Sequence, residues 1–416
     1  MDYMGLLHDK RAFQRETLKA RMEEYGFKNI SRMELFLWDL ELYLQIQSRM
    51  GERVVLKGGA ATQFYLPIEA QRTSVDIDML FCGNKEEITE LLYQIEKQLG
   101  DGSGLFHFRQ HIPRNPKTTL PLFTYYTDIP SVLTDIERNA SGEPFQTQEL
   151  KVEFITVTKE REYQLLSGEN LFAVSSALKY QILPINDLFA DKLTTLGSTT
   201  IGVQDDRLDE QVKQFYDILM LVKYRRDELN SSEIWKKYLN RAEEEWNERA
   251  ATGSNTGSLK GKTFSIKTVA DDVHSQLERY AKVDNGEDEP LKKAINDFKS
   301  LYLNSKVAYG PADVACGAAV VEIMYDLLMA GEGFEKLSRC LETEAMLDFP
   351  ELAGREKGQM VRKVREMLVA KYSETSSLPA NILKGKRLQR VFWAVINANN
   401  IESICSDITM AIRDWG

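Results

Sequence analysis

A short apolar run that ends in two glycines, followed by a strand carrying two alternate aspartates, constrains this chain more than any other stretch. Val54-Val55-Leu56 reads as a buried strand, Gly58-Gly59 as a sharp corner, and Ala60 to Leu66 as a short helix. Thr73 to Phe81 reads as a second strand, alternating around Asp76-Ile77-Asp78-Met79. Residues two apart on a strand share a face, so Asp76 and Asp78 present their carboxylates side by side. Like charges that close are costly unless a cation joins them, and Mg²⁺ prefers carboxylates together with substrate phosphates. The glycines let backbone N–H groups approach a phosphate, and a helix N-terminus favours negative charge. Each feature alone is ordinary, since an Asp-x-Asp is commonly a solvated strand edge and a Gly-Gly a turn. In this order they form the equipment for phosphoryl or nucleotidyl transfer with two metal ions.

Around this unit the chain divides into an α+β part and a helical part. Two helices are expected over residues 9–49, the second opening on a capping box of Ser31 and Glu34. Asn84 caps a helix running to about Leu99, and further strands are expected at Leu105–Arg109, Leu122–Thr127 and Leu150–Val157. The last alternates well, with Leu150, Val152 and Phe154 on one side and Lys151 and Glu153 on the other. From about residue 170 the pattern turns helical, with Asn186 capping a helix that ends at Gly197. Residues 250–261 are the clearest linker. The expected division is N-terminal helices over 1–50, a core over 51–165, a helical segment completing the site over 166–249, a linker over 250–265 and a helical domain over 266–416. The fold class is α+β: a small mixed sheet flanked by helices, followed by an all-helical C-terminal domain.

The stretch from Lys57 to Tyr65 with Arg72 to Asp78 resembles the first motif of the AbiEii/AbiGii nucleotidyltransferase toxins, within the polymerase-β-like superfamily. The 16 positions between Gly59 and Asp76 exceed the usual superfamily spacing but are similar to this family's. Asp187 to Leu193 resembles the family's lysine helix, which points to Lys192. Arg207, followed by Lys213 to Ile218, resembles its closing motif and points to Asp217, although Gln214 stands where an acid is common. The resemblance covers roughly residues 1–230 and implies a nucleotidyltransferase core. It also implies a nucleoside triphosphate substrate, Mg²⁺, and a place in a type IV toxin–antitoxin or phage-defence pair with a DNA-binding antitoxin. In related members the acceptor is the tRNA 3′ end.

The residues' own chemistry suggests roles beside that resemblance. Asp76 and Asp78 are the best metal ligands, and Glu153, the acid of the Leu150–Val157 strand, is the candidate third carboxylate and general base. An exposed strand acid is the plain alternative for Glu153. Lys192, among Leu188, Leu193 and Leu196, can reach a triphosphate as a point charge or snorkel to solvent. Asp217, among Phe215, Tyr216, Ile218 and Leu219, needs a partner: Lys192, a substrate group or a structural salt bridge. Lys57, Gly58, Gly59, Arg72 and Ser74 are candidate nucleotide-binding residues, with surface positions the alternative for Lys57 and Arg72.

Composition narrows the partners. A net charge of -10 disfavours indiscriminate adhesion to nucleic acid but leaves room for a local basic groove. His107, Arg109, His111 and Arg114 form one small basic cluster; Lys357, Arg362, Lys363, Arg365, Lys384, Lys386, Arg387 and Arg390 recur near the end of the chain. Both sets could track a phosphate backbone or form solvated faces. Four scattered cysteines without a CxxC, no apolar span and a charged N-terminus fit a cytoplasmic protein with no membrane partner. Three readings stay open: a toxin modifying RNA, a nucleotidyltransferase acting on a small molecule or protein hydroxyl, and a non-enzymatic interaction module on a degenerate fold.

Overall fold

The computed structural model describes residues 5–100, 105–112, 121–133, 147–252 and 259–414. The chain falls into two compact units, residues 1–192 with 250–254 and 298–307, and residues 193–249 with 255–297 and 308–416.

The first unit runs α1 (Arg15–Tyr25), α2 (Ile30–Met50), β1 (Val54–Lys57), α3 (Gly58–Tyr65), β2 (Asp76–Cys82) and α4 (Lys85–Ile95). It continues through β3 (His107–Gln110), β4 (Leu122–Pro130), β5 (Thr147–Val157), β6 (Gln164–Gly168), β7 (Ser176–Ile182) and α5 (Ile185–Leu193). The strands form one mixed sheet in the order β3-β4-β5-β2-β1-β7-β6. β2 runs antiparallel to β1 and parallel to β5.

Strand periodicity gives this sheet two unlike faces. Ile77 pairs with Val152 and Met79 with Phe154, and all four are buried. The intervening positions pair Asp76 with Lys151 and Asp78 with Glu153, so these charges share the opposite face. The apolar face packs on α2, which contacts β1, β2, β5 and β7. Burial of a Leu or Phe side chain contributes about 1.5–3 kcal/mol, and α2 supplies Phe36, Leu37, Trp38, Leu40, Leu42 and Leu44.

Because α2 is covered on all sides, its acids are covered too. Glu34 does not form the expected capping box with Ser31. Asn29 caps the helix instead, accepting from Arg32 N–H at 3.1 Å. Glu34 is drawn inward to accept from Val132 N–H (2.7 Å), Ser131 Oγ (2.9 Å) and Gln148 Nε2. Burial pushes its carboxyl up to about 7 against the pull of those donors. Glu41 accepts from Gln45 Nε2 at 2.6 Å and bonds His8 Nδ1 at 2.7 Å, and His8 Nε2 bonds the Tyr180 hydroxyl at 2.7 Å. Asp39 is buried with neither oxygen hydrogen-bonded among the described residues; burial first, then Asp76 and Asp78, raise its carboxyl well above the usual range.

The structure departs from the expected helical turn near residue 170, because β6 and β7 form an antiparallel pair there. Ser176–Ile182 contains Ala177, Leu178, Lys179 and Gln181, all good helix formers, and only its last residue is β-branched. Antiparallel pairing with β6 along its length, with Leu56 of β1 pairing Ile182 at its end, overrides that preference. Asn186 is not a cap, since α5 begins at Ile185 and ends at Leu193. Pro184 precedes the helix, and its carbonyl accepts from Leu188 N–H at 2.9 Å.

The elements of the second unit among its described residues are helices: α6 (Leu208–Arg225), α7 (Ser231–Thr252), α8 (Ile266–Ala281), α9 (Glu289–Tyr302) and α10 (Pro311–Ala330). It ends with α11 (Glu335–Met346), α12 (Gly354–Tyr372), α13 (Ala380–Leu383), α14 (Leu388–Val395) and α15 (Ile401–Arg413). The last residues of α7 and α9 are counted with the first unit. Within the linker expected at 250–261, residues 250–252 finish α7 and 253–258 lie outside the described residues. Four of the late basic residues pair with acids among the described residues, Arg362 with Glu366 at 2.7 Å on the exposed face of α12 and three others with Asp284 or Asp313. Arg390 is buried with its Nε on Asp284 (3.1 Å), Lys386 joins the same carboxylate (2.8 Å), and Arg387 pairs with Asp313 (2.5 Å). No helix among the described residues is long and apolar enough to cross a membrane.

Candidate active site

β1 delivers Lys57 to the register position opposite Asp78, and Gly58 then turns the chain into α3. Gly58 holds a left-handed φ of +70°, and a Cβ there would overlap the Asp78 carboxylate. A Cβ on Gly59 would lie 2.7 Å from Arg72 Nη2 and 3.1 Å from Ser74 Oγ. Three polar side chains therefore close on the first turn of α3, where backbone N–H groups lack helical acceptors. Only glycines leave room for that approach.

The corner is tied to the loop before β2 by a residue that sequence reasoning missed. Gln63 is fully buried; its Nε2 donates to the Gly59 carbonyl (2.8 Å) and its Oε1 accepts from Arg72 N–H (2.8 Å). The available signal was a glutamine on a short helix of small and apolar residues, where a buried amide needs partners. Arg72 is itself buried, donating from Nη1 to the Thr73 carbonyl at 2.9 Å, so a solvated surface position is ruled out for it. Thr73 N–H donates to Tyr302 O at 3.0 Å, and Arg72 bridges Leu303, which pins the loop from its other side.

Asp76, Asp78 and Glu153 lie on the outer sheet face together with two lysines. Lys151 Nζ is 2.9 Å from Glu153 Oε2, and Thr124 Oγ1 donates to Glu153 Oε1 at 3.0 Å. Lys57 Nζ is 3.0 Å from Asp191 Oδ2 at the end of α5. Asp78 is pushed up to about 7, first by burial, then by Glu153 and Asp76, while Lys57 and Lys151 pull it down. Among the described residues no three His, Cys, Asp or Glu side chains form a ready metal cage. A divalent, oxygen-seeking ion nevertheless fits this donor set. Asp76 and Asp78 supply two hard oxygen ligands beside an anion-binding helix terminus, and their crowding calls for positive charge. Glu153 is the register partner of Asp78 on β5, engaged by Lys151 and Thr124.

The remaining candidates fall elsewhere. Lys192 is buried on α5, next to Asp191. Asp217 belongs to the second unit, fully buried on α6, where Tyr216 meets Tyr309 at 5.2 Å between ring centroids. Gln214, at the position that departs from the family pattern, donates to Glu210 at 2.6 Å. The basic cluster on β3 is largely neutralised. His107 faces Glu96 at 3.2 Å, and Arg109 pairs with Asp128 and with Glu149 at 2.7 Å. Arg114 lies outside the described residues.

Residues 42–302 match the family of nucleotidyl transferase AbiEii toxins of type IV toxin–antitoxin systems. Among solved structures, the nucleotidyltransferase toxin MenT4 of Mycobacterium tuberculosis H37Rv is similar at 12% identity and a TM-score of 0.34, over 56% of this chain and 72% of its own. No curated protein sequence matches the chain.

Proposed function

The chain belongs to the AbiEii nucleotidyl transferase toxin family, and from that premise we propose that it moves a nucleoside monophosphate from a nucleoside triphosphate to an RNA hydroxyl, releasing pyrophosphate. The observation that carries this reading is the Asp78 carboxylate lodged against Gly58, with Asp76 beside it and the first turn of α3 behind. Phosphates and carboxylates share that corner only through a cation.

In this reading the α3 N-terminus, Lys57, Arg72 and Ser74 hold the triphosphate, and Lys192 adds a point charge. Asp76 and Asp78 hold Mg²⁺, with Glu153 as a further ligand or base; two such ions, when bound, neutralise the phosphates and polarise the attacked phosphorus. The acceptor oxygen forms a bond to the α-phosphorus and gives up its proton to Glu153. The bond between the α-phosphorus and the bridging oxygen breaks, and pyrophosphate leaves with the electron pair. Asp217 enters through the family resemblance of its segment alone. We place the tRNA 3′ end as acceptor, a DNA-binding antitoxin as partner, phage defence as context and the cytoplasm as location.

The test incubates the purified chain with Mg²⁺, each labelled triphosphate in turn and total tRNA. Label on tRNA 3′ ends is the expected result. Label on small molecules or on protein moves the acceptor while keeping the chemistry. No incorporation from any triphosphate overturns the enzymatic reading in favour of an interaction module.

A further inference from the structure

Lys151 occupies a place that a surface lysine does not need. It stands opposite Asp76 on the neighbouring strand, and its ammonium reaches along the same face to Glu153 at 2.9 Å. Thr124 takes the other Glu153 oxygen at 3.0 Å, so both lone-pair-bearing atoms of that carboxylate are engaged. The pair is only partly covered, with side-chain exposures of 32% for Lys151 and 21% for Glu153, so solvent ions can reach it. Lys57, a second cation of this face, also pairs with Asp191 at the end of α5.

Resting on the reading of Asp76 and Asp78 as metal ligands, we propose that Lys151 is a positioning residue: a counter-ion that yields to the incoming metal and triphosphate and so frees Glu153 for the reaction. A divalent cation outcompetes one ammonium for three crowded carboxylates, and the four-carbon lysine stem lets the charge withdraw without moving the strand. Triphosphate favours the exchange, because its oxygens give the withdrawing ammonium a new partner. Metal and nucleotide therefore bind with positive coupling through this lysine. A lysine serving only as a half-exposed ion pair would contribute little to stability and nothing to that coupling.

The experiment measures Mn²⁺ binding to the full-length protein by electron paramagnetic resonance, with and without a non-hydrolysable triphosphate. Lys151→Met and Lys151→Gln should bind Mn²⁺ alone roughly tenfold more tightly than the wild type, since a nearby like charge is gone. Nucleotide should then enhance Mn²⁺ binding less than it does in the wild type, and Lys151→Arg should restore most of that enhancement. Thermal melting confirms folding and should show a larger Mn²⁺-induced rise for Lys151→Met. Unchanged or weaker Mn²⁺ affinity in both neutral variants overturns the inference when wild-type binding is present and is abolished by Asp78→Ala. A wild-type chain that takes up no Mn²⁺ overturns the metal-ligand reading and this inference together.

Discussion

Gly58 and Asp78 meet across the β1–β2 pair so closely that the glycine's missing Cβ is the space the carboxylate occupies. The same glycine has φ +70°, so an L side chain there is strained before it touches anything. Gly58→Ala should cost about 1–3 kcal/mol of stability and displace Asp78 from the helix terminus. Denaturant unfolding and Mn²⁺ binding check it together. Wild-type cation affinity in a folded Gly58→Ala protein would show that the close approach is incidental.

Asp78→Asn should abolish transfer yet raise stability at neutral and alkaline pH. The folded carboxyl lies at about 7 against an ordinary 3.8, so the folded state keeps the proton longer and wild-type stability falls as pH rises across that window. The gain from removing the charge is capped at roughly 4 kcal/mol and vanishes at the acid end. Because a metal must displace that proton, wild-type Mg²⁺ affinity should climb as pH passes through about 7. Melting curves of both proteins from acid to alkaline pH, with Mg²⁺ titrations, decide the point.

Asp39 offers a comparison without catalytic duties. Its raised carboxyl has no hydrogen-bond partner among the described residues, so the wild type loses stability as pH rises above the ordinary aspartate range. Asp39→Asn should match the wild type in acid and exceed it at neutral pH. Parallel stability curves for the two proteins would show that the buried acid finds compensation in the folded state.

Lys192→Ala should lower triphosphate use about tenfold or more, beyond any loss of stability, because the point charge proposed to reach the phosphates is removed. Lys192→Arg should recover only part of it, since the planar fork has a different reach. Steady-state kinetics against triphosphate concentration, with melting as control, separate the roles. Normal residual kinetics in a protein that melts far lower would make the lysine structural.

What could be read from the chain alone follows physical lines. The β1–α3–β2 unit was legible because its signals are local: an apolar run, two glycines, a short helix and a period-two strand. The facing of Glu153 was legible from the alternation of β5, but its register against Asp78 was not, because strand pairing is a non-local choice. The pairing of Lys151 with Asp76 was not legible for the same reason. Gln63 and Asp39 were hidden because both lie in helices covered on every side, where the usual reading of a polar residue as solvent-facing fails. The strand state of β7 is not legible locally, because its residues prefer helix and its pairing with β6 and β1 is settled by tertiary structure.

The late basic residues now separate into two classes, and the last prediction turns on that difference. Arg390 is 1% exposed, with its guanidinium against Asp284 and its Nη2 donating to the Ala281 carbonyl at 2.5 Å. Arg390→Ala empties a buried site and leaves Lys386 as the remaining cation on Asp284, so it should destabilise the protein by about 2–5 kcal/mol whatever the helices bind. Lys384 is exposed, and Lys357 and Arg365 on α12 are half-exposed, so reversing their charges should change melting little. If the helical unit grips the acceptor, Lys357→Glu, Arg365→Glu and Lys384→Glu together should weaken RNA binding and make its salt dependence shallower, with triphosphate affinity unchanged. RNA affinity measured across a salt series, with nucleotide affinity beside it, provides the check. An unaltered salt slope in a folded triple variant would assign RNA contact to the sheet-bearing unit and leave these helices to a protein partner.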